Sequence, residues 1–479
     1  MTTARSLKEN ATKIRFIEPS DAPYRRTLRN HFVYNESIRT PSQGIITLAT
    51  IAATAGDDVL AYSECISEIP WDDVVDADIV CISIFTFSAP RGYEIADRLR
   101  ATSNATVVVG DLHATLCPNE SARHAHYVML GEGDETLPLL IDCIRRKAVP
   151  DFAGVAYYRN DNLANTGTAT PPRSIDIVPD RRLLYRFKEA TRYNTIWPQV
   201  HASRGCPHSC DYCALVAAFG RCVRTRSPES VVEDIRQAIA FFDEGNRRIA
   251  RMLWITDDNF FADRAWALRV LRLIASEGIS YNFTVQARFE VGFDDEMLEA
   301  LSTAGFSELA MGIEFIEDEA FEINHKSSTV DEVKRSIANI RRHGLRVRGL
   351  FIVGADNHTP GVGERIARFV EENGIDGVLI QSMYFIPGTP SYAQHENRLI
   401  QPVDWSRCTG KVMHYPEHMS PRQLQREIIK ASETIYSTRN LIRSIVSKRG
   451  MKRTLFIGEW FWQRFVRADL ERDAKALPE

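Results

Sequence analysis

The sequence predicts an α/β protein in which a Rossmann-like, doubly wound domain precedes a partial (β/α)6 barrel and a helical C-terminal region. Three observations carry this. Between Lys13 and Arg146, short apolar runs such as KIRFIEP, TVVVG and YVMLG alternate with amphipathic stretches, the pattern of a parallel sheet covered by helices. After a Pro-containing interruption the alternation resumes at Trp197 for six further units. From Asn397 onward only helical patterns remain. With 479 residues, the chain is long enough for several cores.

Taken in order, Lys13–Pro19 reads as a first strand and Pro41–Ala55 as a helix closed by Gly56. Strands follow at Asp58–Tyr62, Ala77–Phe85, Thr106–Gly110 and Tyr127–Gly131, with helices at Arg91–Ala101 and Thr136–Arg146. Such a sheet binds ligands at the carboxyl ends of its strands. Those ends carry Ser83, Thr86 and Ser88, then Gly110 and the Asp111-Leu112-His113 run, then Gly131 and Gly133 within GEGDET. No GxGxxG follows the first strand, so nicotinamide dinucleotide binding has little support. Domain 1–150 therefore ends in a linker, 151–192, holding a short hairpin (GVAYYRNDNLA) and the Pro171-Pro172 pair.

In the second domain, 193–395, strands are expected at Pro198–Ser203, Met252–Thr256, Tyr281–Gln286, Leu309–Ile313, Arg348–Val353 and Val378–Met383. Helices are expected at Glu229–Phe242, Arg264–Ser276, Asp294–Ala304, Val330–His343 and Val362–Glu372. Barrel chemistry belongs at the carboxyl ends of the strands. There lie Asp257-Asp258-Asn259, Gln286, Arg288, Gly312-Ile313-Glu314, Gly354 and the Pro387–Pro390 turn. Asp257, Asp258 and Asn259 also suit helix caps. The last region, 396–479, opens with a helix from Arg422 to about Tyr436. Arg439–Arg467 is basic and aromatic, with Trp460, Phe461, Trp462 and Phe465. It reads as a capping helix or as a membrane-surface contact.

A net charge of −4 and a pI near 6.3 exclude a general basic field for nucleic acid. Nine cysteines, three of them in one loop, suggest metal chemistry in a reducing compartment rather than disulfides. MTTARSLKEN lacks the apolar core of a signal peptide and no run is long enough to span a bilayer, so the expected compartment is the cytoplasm.

The loop HASRGCPHSCDYCALVAAFGRCVR presents Cys206, Cys210 and Cys213 in a CxxxCxxC array. Three thiolates on one loop can hold three irons of a 4Fe–4S cluster and leave the fourth iron open. A structural zinc ion with Cys222 or His208 as fourth ligand is the alternative. Zinc ligands usually come as spaced pairs, and no second pair follows.

The cysteine array, with Tyr212 just before its last member, resembles the radical SAM superfamily. The GDLHA and GEGDET stretches ahead of it, and the helical tail, resemble the cobalamin-dependent class that includes hopanoid methylases and the magnesium-protoporphyrin monomethyl ester cyclase. The resemblance implies a 4Fe–4S cluster on the three cysteines and S-adenosylmethionine (SAM) chelated at the open iron. Glu314 would hold the amino or ribose end of SAM and Arg288 its carboxylate. Cobalamin would lie on the first domain, against Ser83, Thr86, Gly110, His113, Gly131 and Gly133. The cobalamin histidine motif DxHxxG is not found after the first strand, where EPSDAPYRR stands, so cobalt is expected without that type of histidine ligand. Asp356–Gly361 matches the letters but lies deep in the second domain. The implied activity is radical methylation of an unactivated carbon in a lipid, tetrapyrrole or natural product. A cyclase or rearrangement enzyme is the alternative. The implied partners are the small-molecule substrate and an electron donor such as flavodoxin or ferredoxin, without nucleic acid.

Overall fold

The computed structural model describes residues 11–20, 41–192, 196–245, 251–323, 328–447 and 450–479. The stretch EPSDAPYRR from Asp21 onward and the side chain of Phe465 lie outside the described residues. The chain folds as two compact units, 1–201 with 214–248, and 202–213 with 249–479.

The first unit is built on β1 (Lys13–Glu18), β2 (Asp58–Ser63), β3 (Ile79–Ser83), β4 (Thr106–Gly110), β5 (Tyr127–Met129), β6 (Val155–Arg159) and β7 (Asn162–Asn165). Their order in the sheet is β2-β1-β3-β4-β5-β6-β7. The first five strands are parallel because each is apolar on both faces. Ile14, Phe16, Ile79, Cys81 and Val108 join one core, which also contains Ile45, Ile46 and Ala49 of the helix Gln43–Thr54. Ile17, Val80, Ile82, Val107 and Val109 join the other, with Ile95 and Leu99 of the helix Ala89–Thr102. This period-two division is what a doubly wound sheet requires. The order around β1 and β3 also creates a switch point, where α/β sheets bind ligands. The hairpin expected within 151–192 forms as β6 and β7 and extends the sheet as an antiparallel edge. Two strands end earlier than the apolar runs suggested. β3 stops at Ser83, before a 3-10 turn at Thr86–Ser88, and β5 stops at Met129.

Two two-residue strands, β8 (Gln199–Val200) and β9 (Ser203–Arg204), replace the single strand expected at Pro198–Ser203, and a third, β10 (Arg224–Thr225), follows the cysteine loop. The second unit then runs β11 (Met252–Ile255), β12 (Asn282–Ala287), β13 (Phe306–Glu314), β14 (Arg346–Val353) and β15 (Gly377–Ser382). These five pair in sequence order, all parallel. The helices Arg264–Ser276, Asp295–Thr303, Val330–Arg342 and Val362–Glu372 connect them. Sequential parallel pairing with a helix in each crossover is the geometry of a barrel segment, and it brings every strand's carboxyl end to one rim.

The helix Pro421–Ile435 packs against Val362–Glu372 and caps its start. The Glu427 carboxylate accepts hydrogen bonds from the backbone N–H of Gly361 at 2.9 Å and of Gly363 at 2.8 Å, where the helix has free donors. Gly363 has no side chain for a steric reason, since a Cβ there would stand 2.2 Å from the carbonyl oxygen of Glu427. Gly363→Ala is accordingly expected to force these helices apart and to destabilise the protein by about 1–3 kcal/mol, read as a lowered Tm. An unchanged Tm would show that the contact yields without cost.

Candidate functional site

The cysteine loop of the second unit is shaped by the carboxyl end of β11. Asp257, fully buried, accepts hydrogen bonds from the Ala202 N–H and the Ser203 hydroxyl, each at 2.6 Å. Asp258 accepts one from the Gly205 N–H at 2.7 Å, and Gly205 itself has a left-handed φ of 90°. Two adjacent carboxylates thus grip the entry of the loop, while helix capping, the other role considered for them, falls elsewhere to Asp263. Asn259 turns towards the loop, its Nδ2 lying 3.8 Å from Cys206 Sγ. The three cysteines are half-buried thiols outside any disulfide, and the Cys213 N–H donates to the Cys210 carbonyl at 3.0 Å.

Burial pushes the Asp257 carboxyl up to about 7, and the hydrogen bonds from Ser203 and Ala202 offset this only in part. From about pH 4, the pKa of a free carboxyl, to about pH 7, the folded chain holds a proton that the unfolded chain releases. The contribution of Asp257 to stability therefore falls as pH rises through that window. Asp257→Asn is expected to flatten this slope when Tm is followed against pH in the cluster-free protein. An unchanged slope would assign it to other groups.

Around the loop stand side chains from two further strand ends. The Tyr212 hydroxyl donates to Glu314 Oε2, and its ring meets Phe315 edge-on at 6.4 Å. Burial, and then the Glu314 charge, raise the Tyr212 pKa far above its ordinary value, so the phenol stays a donor. Glu314 ends β13 in a left-handed conformation with φ 70°, at a register shift between Gly312 and Glu314. Such a backbone is costly for a non-glycine residue and marks positions that the surroundings over-determine. A Cβ on Gly312 would come within 3.1 Å of Glu314 Oε1, so the glycine makes room for the carboxylate. After β12, Arg288 Nη1 lies 3.7 Å from Cys210 Sγ, and its guanidinium pairs with Glu290 at 2.8 Å. Burial disfavours its charge, but Glu290 and the facing anionic groups outweigh that and raise its pKa.

Tyr212, Arg288 and Glu314, picked from sequence, are therefore gathered with Cys206, Cys210 and Cys213. Glu290 was not foreseen; its position two residues after Arg288 was the available signal. Nor was the contact of Asn259 with Cys206 foreseen, although its strand end was. Among the described residues, three potential ligand atoms within 4.8 Å of one another occur at His113, Cys117 and Glu120.

In the first unit the residues picked at strand ends share one edge of the sheet. Ser83 and Gly110 are register partners on β3 and β4, and β5 lies beside them, leading into Gly131 and Gly133. Their polar groups are in different states. The Ser83 hydroxyl donates to Asp111 at 2.6 Å, and the Gly131 N–H donates to Thr115 Oγ1 at 3.0 Å. Thr86 Oγ1 is buried without a hydrogen-bond partner. Gly131 has φ 91°, and a Cβ there would stand 2.9 Å from Thr168. His113 is wholly buried, with Nε2 at 3.5 Å from Glu120 and its ring 6.2 Å from that of Tyr93. His113, three residues past the end of β4, is thus buried among side chains of its own unit.

Residues 200–370 match the family model of the radical SAM superfamily. The chain is 24% identical over 436 residues to the bacteriochlorophyllide d C-12(1)-methyltransferase of Chlorobaculum tepidum, covering 90% of this chain and 88% of that one. It is 24% identical over 456 residues to the hopanoid C-2 methylase of Rhodopseudomonas palustris, covering 90% and 81%. Its fold is similar to that of the radical S-adenosylmethionine methyltransferase TsrM from Kitasatospora setae, solved with cobalamin and a [4Fe-4S] cluster. The TM-score is 0.68 at 14% identity, over 97% of this chain and 99% of that one.

Proposed function

We propose that the chain, whose residues 200–370 match the radical SAM superfamily, is a cobalamin-dependent methyltransferase acting on an unactivated carbon of a small molecule. The observation that carries this reading is the gathering of Cys206, Cys210 and Cys213 with Asn259, Arg288 and Glu314 at the rim of the barrel segment. The names of the relatives support methyl transfer: one acts on bacteriochlorophyllide d, another is a hopanoid methylase.

Cys206, Cys210 and Cys213 would hold the cluster, which when bound supplies the electron that cleaves SAM to a hydrogen-abstracting radical. The chain's own residues position and shield. Glu314 offers a carboxylate to an ammonium or to ribose hydroxyls, and Tyr212 holds that carboxylate in place by donating to it. Arg288 sets a cation beside Cys210, where the carboxylate of SAM can exchange with Glu290 as its partner. Asn259 directs an amide donor at the Cys206 sulfur, a contact that tunes such a centre.

On the first unit, cobalamin would supply the methyl carrier. The fit rests on Thr86 Oγ1, a buried donor with no hydrogen-bond partner at that sheet edge. The burial of His113 against Tyr93 and Glu120 supports a reading in which cobalt takes no histidine of that kind.

The reading is tested with anaerobically reconstituted protein, methyl-labelled SAM and a panel of tetrapyrroles, hopanoids and other polycyclic small molecules. A product carrying the label on carbon supports it. A modified product without the label would replace it with cyclisation or rearrangement.

A further inference from the structure

From Thr438 to Arg467 the chain carries eight lysines and arginines against one acidic residue, in a protein whose net charge is −4. The helix Thr438–Ser447 begins this segment, and the helix Gly450–Ala476 continues it. The first helix is two-faced. Its inner side holds the buried Ser444 and the half-buried Leu441. Its outer side shows Ile442, 59% exposed, Ile445, 44% exposed, and Val446, 80% exposed. These aliphatic positions, spaced three and four apart, form one stripe. Arg439 and Arg443 flank it, both exposed, and Arg443 also reaches Glu371 at 2.7 Å. The neighbouring helix adds exposed Arg453 and Phe461, 56% exposed, with Arg464 over the Trp460 ring at 3.8 Å.

Three exposed branched aliphatics on two turns of helix are uncommon on a water-facing surface, where such residues are normally scattered singly. Arginines beside them supply the complement to a negative surface. No helix among the described residues is long and apolar enough to cross a membrane. From this we infer that the Thr438–Ser447 face docks in the plane of an anionic lipid surface, with Ile442, Ile445 and Val446 entering the acyl boundary and the arginines meeting lipid phosphates. A nucleic acid would use the charge and leave the aliphatic stripe in water. The lipid surface uses both.

The test is co-sedimentation of the full chain with phosphatidylcholine vesicles, with and without phosphatidylglycerol. Binding is expected to the anionic vesicles and to weaken with salt. The variant I442S/I445S/V446S should lose most of this binding with an unchanged circular dichroism spectrum, because all three side chains point outward. Arg439→Gln and Arg453→Gln keep the apolar stripe, and each should weaken binding about fivefold. Equal binding of the triple variant and the parent would overturn the proposal. So would binding to transfer RNA with none to vesicles, or no binding to either vesicle.

Discussion

Replacing Cys206, Cys210 and Cys213 together by alanine is expected to reduce bound iron from about four per chain to background after anaerobic reconstitution. The broad charge-transfer absorption of the cluster should go with it, as should all reductive cleavage of SAM. Cys222→Ala is expected to change none of these. The physical basis is that the three sulfurs share one loop whose entry is fixed by Asp257 and Asp258, while Cys222 is exposed. A triple variant that retained the same iron and spectrum would move the cluster elsewhere.

The second large effect is expected at Glu314. Its carboxylate is held by the Tyr212 hydroxyl, and its backbone stands in a left-handed conformation that the surroundings maintain. Glu314→Ala should weaken SAM binding by the loss of a charge-paired contact, about 2–5 kcal/mol, or roughly 30-fold to several-thousand-fold in Kd. Iron content should stay near the parent value, because Glu314 is not on the cysteine loop. Tyr212→Phe leaves the carboxylate in place but unheld and should cost less, about 0.5–1.5 kcal/mol. Equilibrium dialysis with labelled SAM at matched iron content measures both. Parent-like affinity in Glu314→Ala would remove the carboxylate from the SAM site.

Much of this was legible in the sequence because it follows from periodicity and spacing. Strands such as TVVVG are apolar on both faces, and β4 has buried residues in both cores. The helix boundaries at Arg264–Ser276 and Val362–Glu372 coincide with those read from the sequence, since Asp263 caps the first and Gly361 opens the second. The cysteine array was legible because its spacing is itself the signal.

What was hidden depends on contacts between residues far apart in the chain. Tyr212 and Glu314 are separated by 102 positions, so their hydrogen bond is invisible to a local reading. The strand expected at Pro198–Ser203 is broken into β8 and β9 while Asp257 and Asp258 bind the backbone of Ala202 and Gly205, which local propensity does not encode. Ser83 looked like a free donor at a strand end, yet Asp111, with a left-handed φ of 85°, turns its carboxylate onto that hydroxyl. The left-handed turn at Asp111 is a property of the β4 exit as a whole. The sequence shows only an aspartate after a glycine.

The central claim, that this chain uses cobalamin as a methyl carrier, is tested most directly without knowing the substrate. Protein carrying its cluster is loaded with reduced cobalamin, freed of excess by gel filtration, and given methyl-labelled SAM. The account predicts that cobalamin stays with the protein in about a one-to-one ratio and that the label is recovered in the bound cobalamin fraction. Cobalamin that elutes free of the protein, or that remains unlabelled while SAM is still cleaved, would contradict it.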